Sequence, residues 1–130
     1  PGKISRIFVT HCHGDHSFGN MFLPRETKLI QHEHTARFIH THLEQDKAFM
    51  LQHFGKGRGI EPIRAREPDI LVPAGGKLVL DLGGRQVEIH DFGFAQTGGD
   101  LFIWDPKSKT LWAGNPVIAG KPAPLCLRAT

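Results

Sequence analysis

Ile4, Ile7, Phe8 and Val9 make a short β-branched and aromatic run, and the chain passes from it directly into His11-Cys12-His13-Gly14-Asp15-His16. Such a run reads as a buried strand, so imidazoles and a carboxylate are delivered together at a strand end. In extended backbone, side chains two residues apart point the same way. His11 and His13 can therefore present their rings to a common point while Cys12 faces the other side. Gly14 lets the chain turn sharply, which brings Asp15 and His16 to a neighbouring point. Two adjacent metal positions are then possible. Imidazole nitrogen with carboxylate oxygen suits Zn first, with Fe or Mn next, and an open coordination position favours hydrolysis by an activated water. With 9 histidines in 130 residues, a merely histidine-rich polar loop is the alternative, and the strand in front argues against it.

The rest of the chain reads as a single α/β domain over residues 1–130, in an order of strand, helix, then many strands that argues for layered α+β packing. Ser17 to Leu23 suggests a short helical turn stopped by Pro24, and Lys28 to Gln31 a second short strand. Ala36, Ile39, Leu43, Met50 and Phe54 recur near helical spacing with Gly55 as a stop. His34 to Phe54 is thus expected to be one amphipathic helix packed on a sheet. Gly55 to Asp69 has no periodicity and reads as a long loop. Ile70 to Val72, Lys77 to Asp81, Arg85 to His90, Leu101 to Trp104 and Thr110 to Ala113 read as strands in mostly antiparallel meander connections, separated by Gly75-Gly76, Gly83-Gly84, Gly98-Gly99 and Pro106 to Lys109. Trp104 and Trp112, among aliphatic neighbours, are expected to pack in the core or on the sheet.

At this point a family resemblance can be drawn. The segment Val9-Thr10-His11-Cys12-His13-Gly14-Asp15-His16-Ser17-Phe18-Gly19-Asn20 resembles the signature loop of the metallo-β-lactamase superfamily, whose members share an αββα sandwich. Gly93-Phe94-Ala95-Gln96-Thr97-Gly98-Gly99-Asp100, then Leu101 to Trp104, then Leu111-Trp112-Ala113-Gly114-Asn115, resembles the family's later pattern of Gly-x-x-His-Thr-x-Gly, strand, and Ala/Thr-Gly-Asp. The resemblance implies a partial sandwich of this kind, with a mixed, largely antiparallel sheet and one long helix. It also implies a zinc-dependent, hydrolase-like protein with His11, His13, Asp15 and His16 as the metal loop. Asp15 would act there as ligand and orienting acceptor, the candidate catalytic residue.

Two departures bear on activity. Gln96 holds the position of a third histidine on the first metal, and Asn115 that of an aspartate bridging both metals; both are neutral amides. A further family histidine lies well beyond the bridging position, and no histidine follows His90 here. The family's upstream strands precede the signature loop, which here begins by residue 11, so the match is expected to be a segment of the full fold. A sandwich incomplete in this way would expose a sheet face or strand edge, and a homo-oligomer or strand-exchanged dimer is expected to cover it. With Asp15 as the one carboxylate, one zinc ion is expected rather than two, and activity is expected to be weak. The substrate, drawn from a superfamily that hydrolyses lactams, thioesters, phosphodiesters and lactones, stays open. The alternative is a non-catalytic binding or assembly module that keeps the fold.

The remaining features point away from other classes. His90 ends a strand and is expected to be an ordinary strand-end histidine. His32, His34, His40, His42 and His53 are expected on the surface or at a helix cap. Net charge is +3, with basic residues dispersed except Lys56, Arg58, Arg64 and Arg66 in a Gly/Pro-rich stretch, too few for a nucleic-acid partner. That stretch is expected to be a solvated loop, with an anion site as the alternative. Cys12 and Cys126 make no disulfide framework or Cys-x-x-Cys pair, which favours a reducing, cytoplasmic setting. No apolar run approaches the roughly 20 residues of a membrane span.

Overall fold

The computed structural model describes residues 3–118; Cys126 lies outside them. The first sheet has order β1-β2-β3 and is parallel throughout. Its strands are β1 (Arg6–Phe8), β2 (Lys28–His32) and β3 (Ile70–Val72). β2 is the middle strand, and Leu29, Ile30, Gln31 and His32 are all buried, the run expected of a parallel strand covered on both faces. The second sheet is an antiparallel meander of β4 (Lys77–Asp81), β5 (Gln86–His90), β6 (Phe102–Asp105) and β7 (Thr110–Trp112). The expectation that Ile70 to Val72 opens this meander is corrected. A helical crossover returns the chain to β2 in the same direction, so β3 pairs with β2 in parallel.

The two sheets face one another across one core of Ile30, Val72, Val87, Ile89, Leu101 and Ile103. On β5, Val87 and Ile89 point into it while Glu88 and His90 alternate outward. The β4–β5 turn depends on its glycines. Gly83 (φ 88°) and Gly84 (φ 82°) both occupy the left-handed region, where Asp81 Oδ1 accepts both of their N–H groups at 2.8 and 2.7 Å.

The long helix, α2, runs Glu33–Phe54 and ends at Gly55 (φ 80°), whose N–H returns to Leu51 O at 2.9 Å. The expected stripe is buried at Ile39 and Leu43, with Ala36 and Met50 half-buried. It fails at Phe54, which is 53% exposed. It also fails to keep to the sheet. Leu43 packs with Ile60 and Ile63 of the following loop, bordered by Phe18, Met21, Met50 and Leu51, in a second cluster that Phe54 lies beyond. Of the two expected roles, core or sheet, Trp112 takes the sheet role on the outer strand β7 and is 50% exposed, and Trp104 is half-buried. Among the described residues no helix is long and apolar enough to cross a membrane.

Candidate metal centre

The chain leaves β1 at Phe8, crosses the sheet rim through Val9 and Thr10, and enters a one-turn helix, α1 (Gly14–Ser17), followed by a 3-10 helix over Phe18–Phe22. Ser17 stitches the turn by donating its hydroxyl to Cys12 O and His13 O at 3.1 and 3.0 Å. The expected helical turn thus begins earlier than Ser17. Asp15 sits within the first turn and does not cap it, since the capping position belongs to His13. Gly14 has no room for a side chain: a Cβ there would lie 2.8 Å from the Phe18 ring.

His11 is fully buried, and the His13 and His16 rings crowd it, with centroids 4.7 and 4.1 Å away. The His11 Nε2 atom is buried without a hydrogen-bond partner. Burial, then the His16 and His13 rings, push its pKa down to about 4, so the ring stays neutral well below the ordinary histidine range. His16 Nε2 lies 3.3 Å from Asp15 Oδ2, and the Asp15 side chain is 74% exposed. Asp15 therefore faces solvent beside His16, and its carboxylate acts on His11 in the direction opposite to the neighbouring rings. Cys12 is buried, as is His11.

Sequence reasoning missed Thr10. Its hydroxyl lies 3.1 Å from His11 Nδ1 and 3.5 Å from His16 Nδ1. One proton order suits ligation: His11 Nδ1–H and His16 Nδ1–H both donate to Thr10 Oγ1, whose oxygen has two lone pairs. That order leaves the lone pair of His11 on the buried, unpartnered Nε2. Thr10 also gathers the later segments of the site. Its carbonyl accepts the Leu101 N–H at 2.8 Å, and Gly114 (φ 62°) comes so close that a Cβ would lie 2.9 Å from Thr10 Cβ. The segments carrying Gln96 and Asn115 are thereby brought to the end of β1, and both amides are half-buried there.

The loop that carries Gln96 is itself held by polar groups. Thr97 donates its N–H and hydroxyl to Asp100 Oδ2 at 2.6 and 3.0 Å, leaving Asp100 Oδ1 buried without a partner. Burial raises the Asp100 pKa, opposed by the Thr97 bonds and the nearby His13. The expectation of surface or cap roles for His32 holds only in part. Its Nδ1 caps α2 by accepting the His34 N–H at 3.0 Å, yet the ring is buried, and Nε2 lies 3.4 Å from Asp91 Oδ2 without making a hydrogen bond. Asp91 in turn accepts Gly75 N–H at 2.7 Å and Gly93 N–H at 2.8 Å. Thr35 Oγ1 donates to Gly99 O at 2.8 Å, and a Cβ on Gly99 would lie 2.7 Å from that hydroxyl. His90 stands at the strand end as expected, with Nε2 2.9 Å from Glu88 Oε2 and its ring stacked on Phe92.

Among the described residues, no three of His, Cys, Asp or Glu are placed to close on one ion as they stand.

The fold has counterparts among solved structures. The crystal structure of metallo-beta-lactamase IND-7 is 19% identical with a TM-score of 0.63, covering 93% of this chain and 45% of that one. A metallo-beta-lactamase from Pontibacter korlensis is 21% identical with a TM-score of 0.54, covering 87% of this chain and 41% of that one. The chain thus spans less than half the length of either, and the likeness concerns the fold alone. Among curated proteins there is no match. A family model described as the metallo-beta-lactamase superfamily matches residues 1–122. The chain belongs to the metallo-β-lactamase superfamily.

Proposed function

We propose that this chain carries the metal-binding part of a hydrolase and holds a single zinc ion at His11, His13 and His16, with Asp15 at its edge. The observation that supports this best is the His11 Nε2 atom, buried, neutral and without a partner, with two further imidazoles in contact with its ring. An unsatisfied buried nitrogen is costly in a structural histidine and is what a ligand nitrogen needs. When bound, zinc would supply Lewis acidity and lower the pKa of water toward neutrality. The chain's own residues do the rest. Thr10 fixes the His11 tautomer, Asp15 accepts a proton beside His16, and the Thr97–Asp100 and His32–Asp91 contacts hold the loop bearing Gln96 against the centre. The amides of Gln96 and Asn115 offer neutral, weakly basic oxygens, and a second ion would lack the bridging charge that offsets repulsion between two cations.

Elemental analysis and zinc titration test this. One tight equivalent is expected in the parent and a second in the double variant Gln96→His with Asn115→Asp. Two tight equivalents in the parent, or no gain in the double variant, would refute the reading of these positions. A second reading, a non-catalytic module of the same fold, is favoured by the absence of a closed three-ligand set among the described residues. No retained zinc in the purified protein would decide for it.

A further inference from the structure

Away from the histidines, the end of the 3-10 helix with the stretch after it and the loop before β3 border an open concavity of about 470 Å³ lined by Met21, Leu23, Arg25, Arg64, Ala65 and Arg66. Three arginines line one concavity. Arg66 has its own work: its Nη1 donates to Leu23 O and Pro24 O at 3.0 and 3.2 Å, its Nη2 donates to Thr27 O at 2.7 Å, and Asp69 Oδ2 lies 3.8 Å away. That clasp fixes the cavity wall and leaves the Arg66 charge in place, because carbonyl oxygens are dipoles and Asp69 is already shared with Lys28 at 2.8 Å. Arg25 and Arg64 are exposed and have no ion-pair partner among the described residues. The acids adjacent in sequence are Glu26, which is exposed, and Glu67, which lies 3.4 Å from His40. The Arg64 backbone is tied down by its N–H to Met21 Sδ at 3.3 Å.

We infer that this cavity binds a small organic oxyanion, a phosphate or carboxylate group on an apolar body. The anionic group would be forked by Arg25 and Arg64, and the body would rest on Met21, Leu23 and Ala65. Arginine pairs bind planar or tetrahedral oxyanions through two parallel N–H donors. The volume exceeds what a bare phosphate fills, and the thioether and aliphatic surfaces favour a carbon-bearing ligand over an inorganic ion. A nucleic-acid backbone would call for a basic stripe extending beyond one concavity, and the loop adds only Lys56 and Arg58 to these arginines.

The test is a titration of the full chain followed by amide NMR, with phenyl phosphate, phenol, inorganic phosphate and a short single-stranded DNA as probes, in the presence and absence of zinc. Phenyl phosphate is expected to saturate and to shift the amides of Met21 to Arg25 and Arg64 to Arg66 whether or not zinc is present. Inorganic phosphate should bind about tenfold more weakly and phenol should not saturate. The double variant Arg25→Gln with Arg64→Gln should raise the phenyl phosphate Kd about tenfold or more with an unchanged urea midpoint, since neither guanidinium holds the fold together. Four results would overturn the inference: no saturation by about 10 mM phenyl phosphate, shifts confined to other residues, unaltered binding in the double variant, or occupation of the same amides by DNA more tightly than by phenyl phosphate.

Discussion

Leu43→Ala probes how firmly α2 is held by a loop as opposed to a sheet. The substitution removes three carbons from a side chain only 8% exposed, so nearly the whole transfer free energy is lost, about 2.4 kcal/mol at about 0.8 per methylene. A cavity contribution adds to this in proportion to the volume left empty. Leu43 is surrounded by Ile60 and Ile63 from an irregular loop, with half-buried Phe18, Met21 and Met50 at the margin, and these can move inward more easily than paired strands. The expected total is therefore about 2.5–3 kcal/mol, in the lower half of the usual range for this substitution. Ile89→Ala, in the core between the sheets and fully buried, should cost about 4 kcal/mol. His42→Ala, whose ring stacks on Phe38 at the helix surface, should cost less than about 1 kcal/mol. Urea titration followed by circular dichroism measures all three, and with a slope near 1.5 kcal/mol per molar the Leu43→Ala midpoint should fall by about 1.5–2 M. A loss no larger than that of His42→Ala would refute the second cluster as core. A loss equal to that of Ile89→Ala would refute the argument that the loop relaxes.

Other outcomes follow from the site. Thr10→Val should weaken zinc binding about tenfold or more in a calorimetric titration while Thr10→Ser retains it, because the hydroxyl fixes which His11 nitrogen is free. In the metal-free protein, stability should fall as pH drops from 6.5 to about 4 and then level with respect to this group, because His11 takes up its proton in the unfolded chain first; urea midpoints across that range measure it, and a flat profile would contradict the burial of the ring. Gly99→Ala should destabilise by about 2 kcal/mol or more in the same assay, since its Cβ would meet Thr35 Oγ1, His32 Nδ1 and Thr35 N at 2.7, 2.8 and 2.9 Å. Asp91→Asn should leave the α2 cap intact but lower stability measurably, as the buried His32 loses its carboxylate partner.

The legible parts of this chain were those set by neighbours in sequence. The histidine loop after β1, the helix ending at Gly55 and the meander strands are each encoded within a few residues, as local periodicity and glycine placement require. What escaped was set by contacts across the chain. The parallel pairing of β3 with β2 depends on a crossover that no strand pattern announces. His32 looks like any helix-flanking histidine until Asp91 arrives from another sheet. Thr10 is an unremarked residue in a strand-end segment, and only the approach of Leu101 and Gly114 makes it a junction. The helical spacing continues to Phe54 although the surface it would pack on ends earlier, so periodicity alone overstated the stripe.

The pairing pattern also sets an order of assembly. β4 meets β5 and β6 meets β7 through short turns, and β5 meets β6 across residues 91–101, whereas β2 must meet β1 across the longer histidine loop and meet β3 across the whole of α2. Closing short loops is fast, and long closures must surrender chain freedom before any contact offsets it. The meander should therefore gain hydrogen-exchange protection first in a pulse-labelled refolding experiment, and β1 to β3 later. The histidine loop, strung between the late-pairing strands, would be shaped near the end of folding. Zinc added during refolding should then leave the refolding rate nearly unchanged and slow unfolding instead, making the ion a lock on the finished molecule and not a nucleus for it.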